Sequence, residues 1–185
     1  MTWHFRFGYV VLCLLLFRLV WGLIGGHWSR FASFIYSPRA VLDYLRGQAP
    51  PQHRVGHNPM GALSVYALLI FLLAQVASGL VSDDEIAAVG PLAKWVPDAV
   101  VRLATTYHAK IGKLILIGLT CLHVGAILFY RLKRGEDLVA PMIHGNKQTS
   151  FAVQDARDDA GSRALAVAVF AVCAALVTWL IRQAA

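Results

Sequence analysis

Charge is scarce in this sequence, and acidic charge is scarcest. Of 185 residues 15% are charged, with 10 Asp and Glu against 17 Lys and Arg. The apolar stretches Tyr9 to Phe17, Gly61 to Val81, Ile111 to Tyr130 and Ala164 to Ile181 contain no acid at all. A proton or metal transporter needs acids facing its path, so their lack counts against that class. Cysteine is sparse too. Cys13, Cys121 and Cys173 all lie in apolar stretches and form no C-x-x-C pair, which suits small core residues better than disulfides or metal ligands. No C-x-x-C-H occurs, and that excludes covalent c-type haem attachment. A small-x-small cleavage site is missing after the first apolar run, where Arg18 and Trp21 follow instead. The N-terminal segment therefore reads as a mature helix rather than a signal peptide. Repeats and low-complexity segments are absent.

What is present is hydrophobicity in blocks. The chain is 58% hydrophobic with mean hydropathy +0.59. About 20 apolar residues cross ~30 Å of hydrocarbon at ~1.5 Å per residue, and each block reaches that length with its flanks. Too few polar residues separate the blocks to build a soluble shell around them. The expected fold is an all-α integral membrane protein with four transmembrane helices, near residues 3–24, 59–81, 107–131 and 163–181. Pro38 to Gly47 starts with proline, carries Val41, Leu42 and Leu45 on one side and ends in glycine, so a short interfacial helix is expected there. Residues 1–150 would form the membrane domain, and 151–185 a charged linker and a last spanning helix.

Loop charge predicts orientation. The first connector holds Arg30, Arg39, Arg46 and Arg54, and the third holds Arg131, Lys133, Arg134, Lys147, Arg157 and Arg163. The middle one holds only Lys94 and Arg102 beside Asp83, Asp84, Glu85 and Asp98. The first and third connectors are thus placed in the cytoplasm, and the middle connector and both termini outside. The net charge of +7 is this bias and does not mark a nucleic-acid surface. With only two residues before Trp3 and an outside start, an additional helix upstream is expected.

Of seven histidines, His27, His53, His57 and His144 fall in connectors or just past a helix end and read as solvated or headgroup-level side chains. His4, His108 and His123 belong to apolar helices, where an imidazole serves either as an interhelical hydrogen-bonding group or as a metal ligand. His4 and His108 each stand at the outer end of a helix and so share a depth. Two imidazoles at one depth can bind both faces of one haem iron. Gly8 follows His4 by four positions, and Gly112 follows His108 by four. A missing side chain one turn on gives a porphyrin room; ordinary small-residue helix packing is the other reading. His123 lies 15 positions after His108, hence ~22 Å deeper and rotated by ~60°, in roughly the same sector. It has no obvious partner, because His27 would lie ~12 Å beyond its depth. Arg18 lies ~21 Å below His4. It needs an anion such as a haem propionate, or it snorkels to the headgroups; both readings stand.

At these residues the sequence resembles the bacterial di-haem cytochrome b family, meaning bacterial cytochrome b561 proteins and the b-type cytochrome subunits of nickel–iron hydrogenases. The likeness spans roughly Trp3 to Lys147. It is carried by W-H-F-R-F-G-Y, L-F-R-L-V-W-G, S-R-F, G-H-N-P-M-G-A, the G-P-L after the acidic run, the paired histidines of the third helix and L-V-A-P-M-I-H-G-N-K. The resemblance implies a helical bundle holding two non-covalent b haems, each between two histidines. It assigns His4 and His108 to the outer haem and His123 to the inner one, and it gives Arg18 and the Gly56-to-Gly61 turn no firm role. The family's first helix, which should supply the partner of His123, has no counterpart here. Either the true start lies upstream, which is the expectation, or the inner haem is lost or differently ligated.

The function implied is one-electron transfer between the quinone pool and a c-type cytochrome, dehydrogenase or hydrogenase partner. The chain would be an electron-transfer cytochrome or the cytochrome b subunit of an oxidoreductase complex, multi-pass in the bacterial inner membrane, in contact with lipid and open to homodimer formation. A quinone site near Arg46, His57 or His144 is conceivable. The acidic loop at Asp83 to Glu85 would steer a basic partner or serve as a solvated turn. The competing class is a non-redox membrane anchor whose histidines only tie helices together.

Overall fold

The computed structural model describes the whole chain except residues 87, 146–148, 150 and 185, and the side chains of residues 54 and 184. Asn146 and Lys147, which close the last family-like motif, therefore lie outside the described residues, as does Ser150 at the expected domain boundary. Seven α-helices are described: α1 (Thr2–Ile24), α2 (Pro38–Leu45), α3 (Pro59–Leu80), α4 (Asp98–Thr106), α5 (Lys113–Phe129), α6 (Val139–His144) and α7 (Ala160–Ala184). No strand is found among the described residues; an isolated antiparallel bridge joins Asp83 and Val89.

Four helices are long and apolar enough to cross a membrane: Thr2–Ile24, Pro59–Leu80, Asp98–Arg134 and Ala160–Gln183. The all-α membrane architecture expected from the sequence is thus present. The third span differs from its expected outline. A π-helical turn, Tyr107–Gly112, joins α4 to α5, and a second one, Tyr130–Arg134, extends α5. One continuous helix of 37 residues results. Asp98 to Thr106, read from its charges as connector, is helical because Pro97 and Asp98 open it and no breaker follows.

Local chemistry fixes the other ends. Ser37 caps α2 by accepting a hydrogen bond from the Ala40 amide at 3.2 Å, with Pro38 in the first turn. Asn58 caps α3 in the same way, its Oδ1 accepting from the Gly61 amide at 2.7 Å, again with proline next. The α1 helix stops at Gly25, and α2 stops ahead of Gly47, whose φ of +76° favours glycine.

The helices pack in the spatial order α7, α1, α3, α5. Their fully buried core is small: Leu12 and Cys13 of α1 against Cys173 and Val177 of α7, flanked by Tyr9, Leu16 and Phe17. Most apolar side chains point outward, Phe7, Leu14, Leu114, Ile117 and Leu122 among them. In a hydrocarbon solvent such residues gain nothing from burial, so helices associate through close fit and hydrogen bonds. Cys121, expected in a core, is exposed on α5 for this reason. Because α1 and α5 run the same way beside α3, the His4 and His108 ends come together. At the opposite end the Tyr44 hydroxyl of α2 meets the Tyr130 hydroxyl at 2.8 Å.

Candidate functional site

The site is built on α3. His108 lies within the π turn, and its ring Nδ1–H donates to the backbone carbonyl of Gln75 at 2.8 Å. The Gln75 amide nitrogen returns the contact, donating to the His108 carbonyl at 2.9 Å. This reciprocal pair fixes the ring tautomer and leaves Nε2 as the nitrogen with a free lone pair. Gly79, one turn on, makes room for the imidazole: a Cβ there would stand 2.7 Å from His108 Cε1. The His4 ring approaches from α1, its centroid 5.7 Å from that of His108 at an interplanar angle of 84°.

The two glycines differ. A Cβ on Gly8 would meet nothing within 4 Å, so space is open beside His4. At Gly112 the room is taken by the Gln75 side-chain oxygen and the Tyr107 ring. That Gln75 Oε1 is buried and has no hydrogen-bond partner among the described residues.

Deeper along α5, His123 shares a hydrogen bond through Nδ1 with Ser64 Oγ of α3 at 3.0 Å. Both α5-side histidines thus turn toward α3, whose contact residues Ser64 and Gln75 are about three turns apart. Arg18 stands apart from them. Its guanidinium donates to the Ser29 carbonyl at 3.0 Å and lies over the Phe31 ring, 4.5 Å from the centroid.

Sequence reasoning missed a second grouping. His27, His53 and His57, each read as solvated, line one cavity of about 260 Å³ in the first connector. The His57 ring lies 4.5 Å from Phe34, and the Tyr36 hydroxyl donates to the His57 carbonyl at 2.9 Å. Burial, and then the nearby Arg18 cation, hold the His57 imidazole below its ordinary 6.5. Gln75 was missed as well; a lone amide inside an otherwise apolar span is the signal that points to it. In the acidic loop, Asp83 and Asp84 accept hydrogen bonds from backbone amides two to four residues on, as solvated turns do. Among the described residues no three His, Cys, Asp or Glu side chains converge as a metal site.

Fold and site together define a multi-pass helical membrane protein with two imidazoles, His108 and His123, spaced along one long span. Residues 1–145 match the family described as prokaryotic cytochrome b561. The chain belongs to that family, whose members are membrane b-type cytochromes of electron transfer. No curated protein and no solved structure matches it.

The family implies b-type haem. The residues at the end where His4 and His108 meet fit such a group on two counts. Metal-ligating imidazoles commonly donate their second N–H to a carbonyl, as His108 does to Gln75. Open space lies beside Gly8.

Proposed function

We propose that this protein carries one-electron transfer between the quinone pool and an external redox partner, a c-type cytochrome, dehydrogenase or hydrogenase, in the bacterial inner membrane. Haem b supplies reversible exchange of a single electron at its iron. The chain's part is to hold it. His4 and His108 would hold the haem at one end of the bundle, and a haem held between two histidines would suit electron transfer over oxygen chemistry. Gln75 orients His108, Gly8 leaves room for the ring edge, and Gly112 gives Gln75 its seat. His123 is the inner ligand, with Ser64 orienting it. Arg18, held between Ser29 and Phe31, is available to an anionic substituent of the inner group. Residues 1–150 form the cytochrome domain, and 151–185 a linker with an anchoring helix.

The observation that carries this reading is the facing of His4 and His108 with the His108 proton already committed to a carbonyl. Its test is haem content per chain with a reduced-minus-oxidised spectrum, on protein purified in detergent. A non-redox anchor is the second reading. It is favoured by the His123–Ser64 hydrogen bond, which ties α5 to α3 without any cofactor. A chain free of haem under all expression conditions would select it.

A further inference from the structure

The long third span is tied to its surroundings on either side of His108. Toward its start, Thr105 of α4 accepts at Oγ1 from the Asp83 amide at 3.0 Å. Further on, His123 of α5 shares its 3.0 Å hydrogen bond with Ser64 of α3. Between these ties lies the π turn Tyr107–Gly112, with His108 inside it. Such a turn holds one residue more than an α-helical turn would. At ~100° per residue, one extra residue turns the two flanks by ~100° relative to each other. Once α5 is seated on α3, the π turn therefore decides which way α4 and His108 face.

A π turn interrupts the regular ladder of helix hydrogen bonds, so a carbonyl within it gains from a donor outside the helix. Gln75 is that donor, with Nε2 bonded to the His108 carbonyl at 2.9 Å. The reversed amide would set two oxygens face to face, which fixes the nitrogen on this side. The amide oxygen is left buried against Gly112, without a hydrogen-bond partner among the described residues. Leaving it so is costly, so this placement does not serve the amide's own hydrogen bonding. Gly112 and Tyr107 complete the fit: a Cβ on Gly112 would overlap the Gln75 oxygen and stand 2.7 Å from Tyr107 Cε1. Ala109, Lys110 and Ile111, on the other side of the turn, are exposed.

We propose that the π turn is a one-residue register correction that points His108 at His4, and that Gln75 is the positioning residue that keeps it. Without the amide donor the turn relaxes to α geometry. The shorter flank, α4, then rotates, Thr105 leaves the Asp83 amide, and the His108 ring leaves the Gln75 carbonyl. The purpose of that aim rests on the haem reading, but the register itself is measurable without haem.

The test combines Gln75→Met, which keeps the side chain's reach and removes the donor, with deletion of Lys110, which removes the extra residue. Hydrogen exchange at the Asp83 amide and the reduced-minus-oxidised spectrum would be measured on the full chain in detergent. Gln75→Met should speed exchange at Asp83 about tenfold, the worth of one hydrogen bond, and lose the spectral component that depends on His108. Deletion of Lys110 alone should leave both readouts as in the parent, since both flanks keep their facing in plain α geometry. Combined with Gln75→Met, the deletion should restore both, which it would not do if Gln75 were only a packing residue. Should the Lys110 deletion fail to insert, deletion of Ala109 makes the same correction. Parent-like exchange and spectrum in Gln75→Met, a double variant as impaired as Gln75→Met, or failure of both deletions to fold would overturn the proposal. The expected exchange pattern in protein that never binds haem would sink the haem reading and leave the register role standing.

Discussion

The imidazoles of His4 and His108 face each other edge to face, 5.7 Å between ring centres, although 104 positions separate them in sequence. Neither helix makes this meeting alone. The α3 helix brings them together by packing on both α1 and the π turn, and it holds His108 through Gln75 and Gly79.

Gly79 is the most sensitive point of that arrangement. Gly79→Ala places a methyl 2.7 Å from His108 Cε1 and 3.0 Å from Nδ1. Overpacking of this kind costs ~1–3 kcal/mol. The variant should insert and keep its helical circular dichroism, yet show a lower thermal midpoint and less haem per chain than the parent.

Gly8 and Gly112 should behave differently on methylation. Gly112→Ala collides with the Gln75 side chain and the Tyr107 ring and should destabilise the α3–α5 contact by ~1–3 kcal/mol. Gly8→Ala meets nothing in the protein and should leave the thermal midpoint unchanged. A bulkier Gly8→Leu should lower haem occupancy while the fold survives. If Gly8→Leu binds haem as the parent does, the open space beside His4 is only a helix surface.

Much of this was legible in the sequence, because the membrane makes helices announce themselves as apolar runs. The end of α1 follows from Gly25, the start of α3 from Pro59, and α2 from Pro38 and its apolar side. His4 and His108 do meet, as their expected common depth requires, although His108 stands ten residues inside its helix rather than at the helix end where the sequence placed it. The rest needed three dimensions. Asp98 and Arg102 made α4 read as loop, since charge alone does not distinguish a juxtamembrane helix from a connector. The π turn around His108 has no residue signature. The clustering of His27, His53 and His57 depends on how an irregular connector folds back on itself, which residue spacing does not encode.

His57 gives the protein an acid-sensitive element. Its folded-state pKa lies below the ordinary 6.5, from burial first and Arg18 second. The unfolded chain therefore binds that proton more tightly than the folded one. The resulting stability is fully present above about pH 6.5 and is lost as pH falls through the lowered folded value. Thermal midpoints measured from pH 7.5 to 5 should fall in the parent and fall less in His57→Gln. Parallel curves for the two proteins would remove His57 from the account.

The Asn58 cap tests how the first connector is joined to α3. Asn58→Ala removes the bond to the Gly61 amide and should cost ~1 kcal/mol. The loss should show as a lower thermal midpoint and as faster hydrogen exchange at the amides of residues 60–62.

The central claim is that His4 and His108 together hold b-type haem, and stoichiometry tests it most directly. Haem per chain and the reduced-minus-oxidised spectrum would be measured on purified parent, His4→Ala, His108→Ala and His123→Ala proteins. The account predicts haem in the parent and the same spectral component missing from both His4→Ala and His108→Ala, with that component kept in His123→Ala. Full haem content in His4→Ala and His108→Ala, or none in the parent, would contradict it.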